Sequence, residues 1–272
     1  MNKLKVHFNR SVWKIVGIVW PLVLIVIVWE SLVQLNVLNR DILPPPSALA
    51  FTILELIRSG VLFINMMGSL IRVLIGFGIA VLLGINSGLV LGTFPRVGQR
   101  IVPLFDLIRP IPPIAWIPIA ILWFGLGNQS AIFIVVIGAF FPIFLNTYNG
   151  VRLVNQNYIN MARCLGANTR LIMSDILFPA ALPQIITGLR VGIGMAWMSV
   201  IAAEMIGARE GLGYAIQLNR TMLETEAVLV NMIVIGLMGW AMNYFIIYLE
   251  QWATCWNQNT LAAHHANTGN GF

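Results

Sequence analysis

Charge is what this chain has least of. Of its 272 residues only 10% are Asp, Glu, Lys or Arg, against about 25% in a typical soluble domain. Lysine is confined to Lys3, Lys5 and Lys14. No GxxxxGK[ST] phosphate loop can therefore exist, and ATP cannot be bound by that route. Histidine occurs as His7, His264 and His265, all near the termini and far from any serine or cysteine in an apolar segment. A Ser–His dyad, a His-based zinc site and an HExxH centre are all left without support. Cys164 and Cys255 are isolated and lack CxxC spacing, so neither a disulfide nor a metal site follows from them. The expectation is a chain that is not an enzyme, with no catalytic residue, metal or cofactor of its own.

What is present is apolar sequence. The composition is 58% hydrophobic, and the mean hydropathy is +0.85. The runs Ile15–Trp29, Val73–Pro95, Pro110–Val151 and Ala227–Leu249 carry no charge. A helix crosses the hydrocarbon in about 20 residues. The pattern predicts an all-α, polytopic membrane protein with about six transmembrane helices, near 15–38, 68–94, 101–125, 129–150, 187–208 and 227–250. A segment 1–14 precedes a transmembrane domain over 15–250, which includes a loop at 151–186, and a polar tail fills 251–272.

The net charge of +6 would suit nucleic acid, but its placement suits topology better. Lys3, Lys5, Arg10 and Lys14 precede the first span, which puts the N-terminus in the cytoplasm. With no small-residue cleavage site after it, that span reads as a retained helix. Arg96, Arg100, Arg152, Arg163, Arg170 and Arg190 then fall on or near the cytoplasmic side. Arg40, Arg58, Arg72, Arg209 and Arg220 fall outside, beside Asp41, Glu55, Glu210, Glu224 and Glu226.

Three segments have local character. In DILPPPSALAFTILELIRSG, residues 41–60, the prolines make a stiff turn and Ser47 can cap an amphipathic interfacial helix. Along the second span Gly76, Gly78, Gly84, Gly88 and Gly92 predict close helix packing rather than a substrate role. In RPIPPIAWIP, residues 109–118, proline removes backbone donors inside an apolar run. Irregular backbone at membrane depth is tolerated only against protein or a water-filled cavity. Pro110, Pro112 and Pro113 therefore predict an irregular, interior-facing entry to the third span, with helix resuming near Ala115 and Arg109 at the inner, cytoplasm-side edge of the break.

The segment NYINMARCLGANTRLIMSDILFPAALP, residues 157–183, is too long for a turn. Asn157 can cap a short helix in which Tyr158, Met161, Ala162 and Leu165 follow helical spacing, with Asn160 and Arg163 off that stripe. Gly166 suits its end. Pro179 and Pro183 predict a redirection of the chain before the fifth span. Such a stripe fits a partner's groove or the membrane interface equally well.

This segment resembles the coupling motif of ATP-binding-cassette importer permeases, in which EAA is followed by a glycine four residues on and a proline-bearing ending. Here Asn160, Met161 and Ala162 stand at the EAA positions, then Gly166 and ILFPAALP at 176–183; the glutamate and first alanine are absent. ILPPPSALA (42–50), SLIRVLIGF (69–77), RPIPPIAWIPIAILWFG (109–125), FPIFLNTYNGV (141–151), TGLRVGIGMAW (187–197) and AAEMIGAREGLGYAIQ (202–217) resemble the nitrate/sulfonate/taurine/bicarbonate branch. Within it the resemblance is greatest to taurine and alkanesulfonate permeases, since nitrate and bicarbonate permeases usually carry a longer segment between the first two spans.

The resemblance implies a multi-pass protein of the bacterial inner membrane, paired with a second copy and supplied by a periplasmic or extracellular binding protein. ATP and magnesium would act on two partner ATPases. Each ATPase would receive one cytoplasmic coupling helix, with Tyr158, Asn160, Met161, Ala162, Arg163, Leu165 and Gly166 as candidate contacts. Candidates for the substrate path are Arg109, Pro112, Pro113, Trp116, Asn146, Ser199 and Glu204. Each also has a structural reading. Arg109 can snorkel to the interface or pair with Asp106, and Trp116 and Trp123 suit packing or the lipid interface. Asn146 and Ser199 can bond a neighbouring helix. Glu204 fits a pair with Arg72 or Arg209 better than a gate or a site for taurine's ammonium. Gly211 and Gly213 would shape the outer loop. A channel or secondary transporter independent of ATP is the alternative, and it leaves 157–183 unexplained.

Overall fold

The structure, a computed structural model, describes residues 20, 21 and 23–253. The expected segment 1–14, and the 251–272 tail beyond residue 253, lie outside the described residues. All regular structure among the described residues is helical. They form two compact units, one drawn from the described residues up to 63 and from 215–233, the other from 64–214 and 234–253.

The first unit holds α1 (Val23–Gln34) and α2 (Pro46–Arg58). Pro46 opens α2 where a missing N–H costs nothing. Pro45 stands at the N-cap, without a side-chain hydrogen bond, so Ser47 is not the expected cap. Its N–H and hydroxyl instead donate to the Glu30 carboxylate at 3.1 and 2.9 Å. Within the same unit Thr52 Oγ1 donates to Glu226 Oε2 at 3.0 Å.

The second unit holds most of α3 (Val61–Thr93), then α4 (Pro95–Ile108), a 3-10 turn (Pro113–Trp116), α5 (Ile117–Phe124), α6 (Asn128–Arg152), α7 (Gln156–Cys164), α8 (Thr169–Leu171), a π turn (Ile172–Leu177) and α9 (Phe178–Gly207). Both units share α10 (Leu212–Thr221) and α11 (Thr225–Ala253). Among the described residues four helices are long and apolar enough to cross a membrane, Val61–Thr93, Asn128–Arg152, Thr169–Gly207 and Thr225–Tyr248. A fifth follows if α4 and the Pro113–Phe124 helix, bent by 83°, make one span. Of the first expected span, 15–38, residues 20, 21 and 23–34 are helical; residues 15–19 and 22 lie outside the described residues.

Glycine sets the packing of α3 on α6. Gly76, Gly84, Gly88 and Gly92 lie against Val135, Ile143, Thr147 and Val151 respectively. The offset is constant, so the two helices run parallel. A Cβ on Gly88 would stand 2.6 Å from Thr147 Cβ, closer than any side chain tolerates. Gly78, of the same stripe, has nothing within 4 Å and takes no part. On α6 and α9 the order reverses: Gly138 meets Ser199, Gly192 meets Ile143, and Gly150 meets Gln184 and Ala181. These helices are antiparallel. One end of the unit thus gathers the starts of α3 and α6 with the end of α9. The opposite end gathers the ends of α3 and α6 with α7 and α8.

The fifth expected span needs correction. Pro179 and Pro183 do not redirect the chain; a helical rod runs from Thr169 to Gly207. Pro179 follows directly on the π turn Ile172–Leu177, where the i→i−4 ladder is already interrupted. Pro183 is inside the helix, a position that packed neighbours make tolerable in membrane bundles. At about 1.5 Å per residue the rod is roughly 58 Å long, about twice a hydrocarbon core. Its first turns pack beside α7, where Ile172 and Leu177 meet Ile159 and Ala162.

Candidate translocation path and coupling segment

The coupling segment is built by two local devices. Asn155, rather than the expected Asn157, is the N-cap of α7, its side chain accepting from Asn157 N–H at 2.9 Å. At the other end Ala167 N–H bonds to Ala162 C=O and Gly166 N–H to Arg163 C=O, at 2.9 and 3.0 Å. This is a Schellman closure, and it requires the left-handed φ of +84° that Gly166 has. Ile159 and Ala162 turn inward onto a cluster of Val151, Ile172, Leu177, Ala181 and Ile185. Tyr158, Met161 and Leu165 turn outward at 62%, 62% and 87% exposure, with Asn160 and Arg163 also exposed. An anchored helix thus presents three large apolar side chains to its surroundings.

The break in the third span is present. α4 ends at Ile108, Pro112 is extended, and the chain re-enters helix through the 3-10 turn from Pro113. Pro118 lies in the first turn of α5. Phe105, one turn before Arg109, packs edge-on against Phe140, Phe141 and Phe144 midway along α6. Arg109 is the C-cap of α4 and so stands at the α4-side edge of the break. It is exposed, as is Pro112, and the pair with Asp106 does not form. Trp116 packs on Ile117, Ala120, Ala131 and Ala203, and its buried indole N–H has no partner among the described residues. Trp123 is 62% exposed beside Phe124 and Phe133. Asn146 Nδ2 donates back to Pro142 C=O at 2.8 Å, and Ser199 is buried against Gly138. Both sit in the α6–α9 seam.

Glu204 belongs to a different construction at the opposite end from α7. It and Arg72 are 1% and 2% exposed. Arg72 Nη1 donates to Glu204 Oε1 at 2.7 Å and to Glu210 C=O at 2.9 Å. Nη2 reaches Glu210 Oε1 at 3.1 Å and Nε reaches Asn128 Oδ1 at 2.7 Å. Glu204 Oε2 accepts from Ser69 Oγ at 2.8 Å and Gly213 N–H at 3.0 Å. Ser69 Oγ and Asn65 Oδ1 accept the Leu212 and Gly211 N–H groups. Gly211 has φ +119°, and a Cβ there would stand 2.5 Å from the Glu204 carboxyl carbon. The loop after α9 closes on the carboxylate only because that position is bare. Arg72 is the partner; Arg209 is exposed and makes no ion pair with the described residues. Sequence reasoning missed Asn65, Ser69 and Asn128. Their only signal was polarity close to two isolated charges.

Residues 76–253 match the family described as binding-protein-dependent transport system inner membrane component. A putative ABC transporter permease of Methanocaldococcus jannaschii is 40% identical over 240 residues, 86% of this chain and 90% of that protein. The taurine transport system permease of Escherichia coli is 31% identical over 269 residues, covering 93% and 96%. The nitrate import permease of Synechocystis is 37% identical over 187 residues, covering 69% and 68%. In fold, the chain is similar to an inward facing structure of the MetNI methionine ABC transporter, with TM-score 0.64 at 17% identity over 71% of this chain and 96% of that one. The chain therefore belongs to the inner membrane components of binding-protein-dependent transport systems, as an ABC importer permease of the nitrate/sulfonate/taurine/bicarbonate family.

Proposed function

We propose that the chain pairs with a second copy to form the translocation path of an ATP-driven importer for a small organosulfonate, taurine or an alkanesulfonate. The end bearing α7 faces the cytoplasm. Two ATPases each take one α7 into a surface cleft, and a soluble binding protein delivers substrate at the opposite end. The observation that carries this reading is α7 itself: capped, closed by Gly166, and presenting Tyr158, Met161 and Leu165 outward. ATP acts by binding one global state more tightly than the other, and α7 transmits that difference to the path. Arg109 is the cation exposed beside the break and attracts the anion. The unpartnered Trp116 N–H is a donor for an anionic oxygen when the bent segment moves.

The compact 39–67 segment and the near-complete alignment with the taurine permease support the organosulfonate. The nitrate permease's higher identity over a shorter stretch keeps nitrate, with bicarbonate, as the second reading for the same machinery. The test is ATP-dependent uptake into proteoliposomes with a matched binding protein, offering taurine, an alkanesulfonate, nitrate and bicarbonate in competition. Taurine or the alkanesulfonate is expected to compete best. Uptake of nitrate or bicarbonate alone would overturn the substrate reading, and concentrative uptake without the ATPases would overturn the importer.

A further inference from the structure

A pocket of about 320 Å³ lies at the α7 end of the second unit, enclosed by the ends of α3 and α6, by α7 and by the start of the α8–α9 rod. Arg152 and Arg163 line it together with Thr93, Gln156 and Thr169, over an apolar floor that includes Ile172. No aspartate or glutamate lines it among the described residues. Asp175, the acid closest in sequence to α7, is engaged with Ser174 Oγ at 2.7 Å.

Arg152 is held in place, since its Nη1 donates to the Tyr148 hydroxyl at 3.0 Å and its guanidinium lies 5.7 Å from that ring's centroid. A guanidinium carries five N–H donors, so this contact leaves most of them free. Arg163, in the last turn of α7, makes no ion pair with the described residues. Two guanidiniums around one small cavity repel each other, and a shared anion reverses that term. The volume is within the roughly 300–1,000 Å³ usual for ligand sites, and planar guanidinium forks match oxyanions in bidentate fashion.

We propose that this pocket binds one tetrahedral oxyanion group between Arg152 of α6 and Arg163 of α7, supplied as the phosphate of an anionic phospholipid headgroup or as a free sulfate-like ion. The bound group ties the coupling helix to the helix before it. Only that mechanical consequence rests on the proposed function; the binding does not.

The test uses the full-length chain, purified without ATPases, so it is independent of transport. Inorganic sulfate is titrated calorimetrically into delipidated protein in a neutral detergent. In parallel, native mass spectrometry counts phosphatidylglycerol and phosphatidylcholine retained from mixed micelles. Saturable sulfate binding identifies a free-ion site. Selective retention of phosphatidylglycerol without sulfate binding identifies a headgroup site. In either case Arg163→Gln and Arg152→Gln/Arg163→Gln are expected to weaken binding by about tenfold or more, while Arg170→Gln, which lies outside the pocket lining, leaves it unchanged. Arg163 is exposed, so its single variant keeps the test intact if the double variant misfolds. The proposal is overturned if wild-type protein binds neither probe, or if Arg170→Gln loses as much as Arg163→Gln, which would mark a diffuse basic surface.

Discussion

Arg72 and Glu204 are the residues whose surroundings leave least freedom. Removing one partner of a buried ion pair costs about 3–5 kcal/mol, while replacing both by apolar side chains costs far less. Arg72→Met and Glu204→Met are therefore each expected to lower the melting temperature of the purified chain strongly, and Arg72→Met/Glu204→Met to lower it less than either single change. A double-mutant cycle on thermal unfolding checks both. Arg109 has the opposite character, being exposed and unpaired with Asp106. Arg109→Gln is expected to reduce oxyanion uptake several-fold while leaving ATPase co-purification unchanged; equal loss of both would give it a structural role. That Glu204 pairs with an arginine was legible because charges buried in a membrane must pair, but the choice between Arg72 and Arg209 was not. The neutral partners were not, since Asn65, Ser69 and Asn128 carry no such obligation.

At the scale of elements, the glycine stripe of α3 divides into working and idle positions that spacing alone does not separate. Gly88→Leu would drive a side chain into Thr147, and overpacking of this kind costs about 1–3 kcal/mol or more. Gly78→Leu meets open space and is expected to change stability by less than about 0.5 kcal/mol. Melting temperatures in detergent distinguish the two. On α7, Leu165→Glu alters a side chain that is 87% exposed. It is expected to abolish ATPase co-purification with little effect on folding, whereas retained assembly and transport would remove α7 from the coupling role. Periodicity placed Tyr158, Met161 and Leu165 on one face, which is outward, but wrongly set Ala162 with them, since Ala162 packs inward beside Ile159. The cap of α7 fell two residues earlier than expected because Asn155 has the extended backbone an N-cap needs. The prolines misled for a different reason: the π turn Ile172–Leu177 interrupts the i→i−4 ladder just before Pro179, and no local sequence pattern announces that turn.

For the whole molecule, parallel α3 and α6 with antiparallel α9 place the 93–96 and 152–172 segments at one end and the 204–213 loop at the other. Positive-inside counting predicts the first of these ends in the cytoplasm. Cys164 is exposed on α7, so in a Cys255→Ser background without ATPases a membrane-impermeant maleimide should label it in inverted vesicles only. Labelling in right-side-out vesicles would reverse the orientation and, with it, the docking face.

Hydrophobic runs, scarce charge and the placement of arginines were enough to determine a polytopic helical membrane protein, because crossing hydrocarbon constrains composition directly. The motifs of 109–125 and 157–183 carried the resemblance to importer permeases for the same reason, each being an exception to that composition. Tertiary structure alone decided which glycines touch, which atoms surround Arg72 and Glu204, where along the bundle the proline break falls, and that Arg152 and Arg163 share a cavity. Those depend on helices far apart in the chain meeting in a particular register, which no local pattern encodes.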